Sequence, residues 1–247
     1  MDPRPVIIKL GSTMPSLAAQ IGDFEDWTIR AMGLQQADVK VVNPTEGEAL
    51  PSPRTVSAAI VTGSHAMVTD HEPWSERVAA WLRDALAQEA PVIAICYGHQ
   101  LLAYALGGEV GPNPLGREIG TVQARLTSAA QTDPLFGGLG RTIGVHASHV
   151  QTVLRLPQGA TLLATSELDR NFAFRVGAQA WGVQFHPEFT AEIGRAYVQA
   201  EAAALIAEGK DPDLLAATCT DGHTGDTILR RFVALAQARV APLDGVG

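Results

Sequence analysis

The chain has 247 residues, of which 46% are apolar and 18% charged, with a formal net charge of −8. That length supports one large α/β domain with a sizeable core, and the acidic balance excludes the electrostatic footprint of a nucleic-acid binder. Two cysteines, Cys96 and Cys219, do not form a disulfide framework, so a reducing cytoplasm is expected. Neither a signal-peptide pattern at the start nor an apolar run long enough to span a bilayer is present, so no membrane association is expected.

In chain order, Val6-Ile7-Ile8-Lys9-Leu10 reads as a strand closed by Gly11. Apolar residues at helical spacing follow over residues 16–32 (Leu17, Ile21, Phe24, Trp27, Ile29), and Gly33 ends the pattern. Strands are expected at residues 39–42 and 56–61, and a helix from Pro73 to about Gln88. Residues 91–95, Pro-Val-Ile-Ala-Ile, carry no polar side chain, which suits a strand buried on both faces in a parallel sheet. Alternating strands and helices imply a doubly wound α/β fold, with ligands at the carboxyl ends of its strands.

The second half differs. Residues 172–176 and 179–185, joined by Gly177-Ala178, read as a β-hairpin with a two-residue turn and an antiparallel extension of the sheet. Helical patterns follow at residues 192–208 and 226–239, separated by a polar loop over 210–225. A single domain over residues 1–247 is expected, with a core at about 6–190 and terminal helices beyond it.

Ala94-Ile95-Cys96-Tyr97-Gly98-His99-Gln100 is the strongest chemical signal. A buried strand ends, one residue sits on a sharp turn, and a helix begins at once, with small residues leaving room for the turn. The helix N-terminus beside the thiol favours a thiolate. A core cysteine at a strand end is the competing explanation. In Trp181-Gly182-Val183-Gln184-Phe185-His186-Pro187-Glu188-Phe189, His186 and Glu188 are two apart, so both side chains can share one face. A thiolate nucleophile needs such a base and an acceptor to orient it.

Together the segments ICYGHQLLAYALGG and WGVQFHPEF resemble the class I (triad) glutamine amidotransferases, especially the glutaminase domain of GMP synthase and its free-standing relatives. The resemblance implies a flavodoxin-like, mostly parallel α/β sheet and hydrolysis of a γ-glutamyl amide through a cysteine γ-glutamyl thioester. It implies Cys96 as nucleophile, His186 as acid/base and Glu188 as orienting carboxylate. Gly63 and Ser64 match the loop whose backbone builds the oxyanion hole, with the Tyr97 N–H as second donor. Gln100 matches a substrate-contacting glutamine, and Ser148 and His149 match the loop that holds the glutamate α-carboxylate and amine.

Three departures stand out. Ala94 replaces the usual Gly two places before the nucleophile, Ser64-His65 replaces Gly-Pro, and Gln151 stands where an Asp often follows the Ser-His pair. The last removes a charged contact to the substrate amine.

The remaining histidines lack carboxylate or thiol neighbours at zinc spacing, and no phosphate-binding Gly-rich loop ends in Lys-Ser/Thr, so no metal and no cofactor are expected. A small molecule, glutamine or another γ-glutamyl compound, is the expected ligand, with a separate synthetase chain as the partner of a pure glutaminase. A free-standing hydrolase of γ-glutamyl peptides such as glutathione is the alternative, and a binding protein that kept the fold is a third reading.

Overall fold

The computed structural model describes residues 4–240; residues 1–3 and 241–247 of the expected single domain lie outside the described residues. Among the described residues nine strands form one sheet. Its first half is parallel. β1 (Val6–Ile8), β2 (Lys40–Val42), β3 (Ala59–Val61), β4 (Val92–Ile95) and β11 (Ala180–Val183) run side by side, in registers such as Val61↔Ala94 and Val183↔Ile95.

The side-chain period of two divides this half between two cores. Ile7, Ile60 and Ile93 face one side, against α2 (Phe24–Met32) and α8 (Thr224–Val240). Val6, Ile8, Val61 and Val92 face the other, against α3 (Pro73–Ala87) and α4 (Tyr97–Ala105). This is the doubly wound arrangement that the alternation of strands and helices implied. The C-terminal helix belongs to the same core, since Ile228, Leu229 and Phe232 are fully buried and Phe232 packs edge-on against Trp181.

Beyond β11 the sheet turns antiparallel through β10 (Ala173–Val176), β9 (Thr161–Thr165), β6 (Glu118–Leu126) and β7 (Thr142–His149). A two-stranded sheet of β5 (Glu109–Pro112) and β8 (Gln151–Arg155) lies apart from it.

Four expectations need correction. The helix over 16–32 is two, α1 (Pro15–Ile21) and α2, because Gly22 turns to φ +89° and Asp23 caps the second helix. The Asp23 carboxylate accepts from the N–H groups of Phe24 and Thr13, so the break also ties down the loop after β1. The hairpin turn holds three residues rather than two, since Val176 pairs with Ala180; its second strand joins β4 in parallel, and its first begins the expected antiparallel extension. The helix over 192–208 divides at Glu201 into α5 (Ala191–Ala200) and α6 (Ala202–Ala207). The polar loop over 210–225 contains α7 (Pro212–Thr218), started by an Asp211 cap with Pro212 at the first position. Among the described residues no helix is long and apolar enough to cross a membrane.

Candidate active site at the end of strand β4

Cys96 sits between β4 and α4 with φ 50° and ψ −103°, in the positive-φ region that a non-glycine residue occupies only under constraint. Such a conformation costs about 1–3 kcal/mol, which the surrounding structure must supply. Gly98 leaves the room that the turn needs. A Cβ there would lie 2.7 Å from the Val61 carbonyl oxygen, so only glycine lets α4 start this close to β3. Tyr97 donates its hydroxyl to Ser75 Oγ at 2.7 Å, and burial pushes its phenol up to about 12.

His186 follows the end of β11, the parallel neighbour of β4. Its N–H donates to the His146 carbonyl at 2.8 Å, which fixes the backbone. Its ring lies between Phe189 and Phe24, stacked at centroid distances of 4.0 and 6.2 Å. Nδ1 meets Glu188 Oε1 at 2.8 Å, and both side chains are almost wholly buried.

Burial opposes charge on this imidazole, but Glu188 and then Cys96 more than offset it, and the His186 pKa is pushed up to about 10. Two neighbouring histidines go the other way. Burial and the His186 charge hold His65 and His146 below the usual imidazole range. The carboxylate partner thus selects which histidine carries the proton.

Gly63 lies at the junction. A Cβ there would be 3.0 Å from His186 Cε1 and 3.8 Å from Cys96 Cβ, so a side chain would crowd both. The Cys96 thiol is 3.8 Å from the Ser148 carbonyl oxygen.

A cavity of about 130 Å³ opens beside Cys96, and Ser64, Tyr97, Gln100, Ser148 and His149 share its wall. His186 and Glu188 lie behind the wall rather than in it. Gln100 spends its amide nitrogen on the Gln151 carbonyl (2.9 Å) and Gln184 Oε1 (3.1 Å). The His149 ring is committed at both nitrogens, to the Gln151 carbonyl (2.9 Å) and to Glu118 Oε2 (3.1 Å), and Glu118 also accepts from Ser166. His149 therefore borders the cavity as a fixed strut with no ring nitrogen to spare.

His65 meets the Tyr197 hydroxyl at 3.2 Å, and that hydroxyl also contacts Thr13 Oγ1 at 2.8 Å, so α5 braces the Gly63–His65 loop. Sequence reasoning passed over Arg117, Tyr197 and Glu201, which also line the cavity. Arg117 lies in an unpatterned link before β6, and the other two sit in what reads as a terminal amphipathic helix. His99 is a neutral core residue, fully buried against Phe174, with burial driving its pKa down to about 3.

A parallel sheet, a positive-φ cysteine at a strand end and a buried His–Glu pair just past the adjacent strand make up the candidate site. The chain belongs to the class-I glutamine amidotransferase family, whose model matches residues 21–203. It is 30% identical over 140 residues to a glutamine amidotransferase-like protein of Schizosaccharomyces pombe, covering 56% of this chain and 55% of that one. It is 35% identical over 142 residues to the glutamine-hydrolysing GMP synthase of Bacteroides fragilis, covering 57% of this chain and 26% of the relative. With a glutamine-hydrolysing GMP synthase subunit from Archaeoglobus fulgidus it shares 38% identity over 117 residues, 45% of this chain and 62% of the relative. The chain thus spans between a quarter and three fifths of these relatives.

The fold matches the crystal structure of a glutamine amidotransferase from Thermotoga maritima with a TM-score of 0.73 at 24% identity, over 95% of this chain and 97% of the other. A glutamine amidotransferase structure from Methylobacillus flagellatus gives 0.72 at 24% identity, over 99% and 97%.

Proposed function

We propose that this chain is a glutaminase that hydrolyses the side-chain amide of glutamine through a γ-glutamyl thioester on Cys96, with His186 as acid/base and Glu188 as its orienting carboxylate. The observation that carries this reading is the positive-φ Cys96 at the mouth of a small cavity, with the buried His186–Glu188 pair behind it.

The Cys96 thiolate attacks the γ-carbonyl carbon, forming the C–S bond. The resulting oxyanion rests on backbone N–H groups of the Gly63-Ser64 loop and of Tyr97. As the tetrahedral species collapses, the C–N bond breaks and the His186 imidazolium gives its proton to the departing nitrogen, so ammonia leaves. His186, now neutral, takes a proton from water as that water attacks the thioester. The C–S bond then breaks, and glutamate leaves from a regenerated thiolate–imidazolium pair. Fixed N–H donors at the oxyanion contribute about a hundredfold each in comparable sites.

The stacking of Phe24 and Phe189 keeps the His186 ring in one plane, and Glu188 at 2.8 Å fixes which nitrogen faces the thiol. Similarity to the GMP synthase subunit from A. fulgidus supports a further step, in which ammonia passes to a separate synthetase chain. Free thiols at Cys96 and Cys219 suit a reducing compartment, and we place the protein in the cytoplasm.

The test is glutamate release by the purified chain from glutamine, with glutathione in parallel and Cys96→Ala as control. Cysteine-dependent release from glutamine is expected. Release from glutathione alone would replace ammonia by a peptide as the leaving amine. Equal release by Cys96→Ala would remove Cys96 from the mechanism.

A further inference from the structure

A γ-glutamyl group carries a carboxylate and an ammonium on one carbon, and a site that takes it from water must meet both charges. Gln151 offers an amide rather than a carboxylate, and the ring of His149 has no nitrogen to spare. Burial and the neighbouring His186 keep His65 neutral. Apart from cysteine and histidine, the cavity wall holds two side chains that bear formal charge, Arg117 and Glu201.

These two are already a pair. Arg117 Nη1 donates to Glu201 Oε2 at 2.8 Å and Nε donates to Glu208 Oε1 at 3.0 Å. Lys210 holds the assembly from below, donating to the Arg117 carbonyl (2.8 Å) and to Glu208 Oε2 (3.0 Å). The Arg117 side chain is 17% exposed and that of Glu201 41%, so the guanidinium is set into the wall while the carboxylate keeps access to water.

We propose that Arg117 and Glu201 are the specificity-determining residues for the amino-acid head of the γ-glutamyl substrate, a reading that rests on the proposed glutaminase chemistry at Cys96. The substrate carboxylate pairs with the Arg117 guanidinium and the substrate ammonium with the Glu201 carboxylate. The substrate enters as a second ion pair alongside the resident one, and no net charge is buried. Glu208 and Lys210 hold the guanidinium in place, so the segment after residue 200 takes part in substrate selection.

The test compares glutamine with two truncated amides. 4-Carbamoylbutanoate lacks the ammonium and 4-aminobutanamide lacks the carboxylate. Each is measured as kcat/KM, or as protection of Cys96 from iodoacetamide where turnover is slow. Wild type should prefer glutamine over both. Glu201→Gln should shrink the preference over 4-carbamoylbutanoate by about tenfold or more, and Arg117→Gln the preference over 4-aminobutanamide by a similar factor, as loss of a charge-assisted hydrogen bond implies.

Arg117→Lys, which keeps the charge but not the fork, should restore part of the preference, which a merely unfolded variant would not do. Rates that fall in parallel on all three amides, with both preferences unchanged, would overturn the assignment and leave the glutaminase reading standing. A wild type that neither turns over nor is protected by any of the three would overturn the glutaminase reading, and this assignment with it.

Discussion

The two halves of the sheet do different work. In the parallel half, the strands β1, β3, β4 and β11 are buried at every position and their side chains are almost all apolar. In the antiparallel half, β6 and β7 mix buried, half-buried and exposed positions, and buried polar groups such as Glu118, His146 and His149 lie among them. The parallel half makes a rigid base from which Cys96 and His186 project at adjacent strand ends. The loop after β3 and the start of α4 share the walls of the cavity with the antiparallel half and the helices after it. The proposed chemistry therefore sits at the strand ends of the apolar half, whereas the charged side chains of the cavity wall, Arg117 and Glu201, come from outside it.

If that division holds, the largest losses of activity follow from changes at the two strand ends. Cys96→Ala should lower turnover by at least about 10^4-fold with an unchanged thermal midpoint, read by glutamate release and calorimetry side by side. Glu188→Gln should lower it by up to about 10^4-fold and also move the pH profile. His186 has a pKa raised from 6.5 to about 10, so its proton is present throughout neutral pH and is lost as pH climbs toward 10. Removing the main electrostatic partner lowers that pKa, and the alkaline limb of the rate profile should shift to lower pH. An alkaline limb in the same place for both proteins would detach it from His186.

Stability changes should be larger where helices pack against the parallel half than on the exposed face of the outer helices. Phe232→Ala opens a cavity against Trp181 and should cost about 3–5 kcal/mol in denaturant unfolding. Gly98→Ala drives a methyl group to 2.7 Å from the Val61 carbonyl and should cost about 1–3 kcal/mol, with a disproportionate loss of turnover because the elbow itself shifts. At the other end of the scale, Leu214 in α7 is 64% exposed, and Leu214→Ser should move stability by no more than about 0.5 kcal/mol. A greater loss at Leu214 than at Phe232 would reverse the comparison.

The same contrast explains what could be read from the residues alone. Strands apolar on both faces leave an unambiguous pattern, so residues 91–95 announce a central parallel strand, and the Cys96–Gln100 turn is visible because it needs small residues where a strand meets a helix. Residues 109–165 carry five strands that sequence reasoning left unassigned, because one-sided burial, glycines and buried polar groups blur the alternation. The break at Gly22-Asp23 was hidden by helical spacing that continues across it, and the third turn residue Gln179 by a strand pattern that begins early. Arg117 and Glu201 meet across 84 residues of chain, and the helical pattern around Glu201 carries no sign of that contact.

A covalent γ-glutamyl enzyme on Cys96 would be seen most directly by mass spectrometry of protein quenched in acid during turnover of glutamine. A γ-glutamyl increment is expected on the peptide that contains Cys96, absent from Cys96→Ala and removed by incubation at neutral pH. Glutamate release at full rate with Cys96 never modified would contradict it.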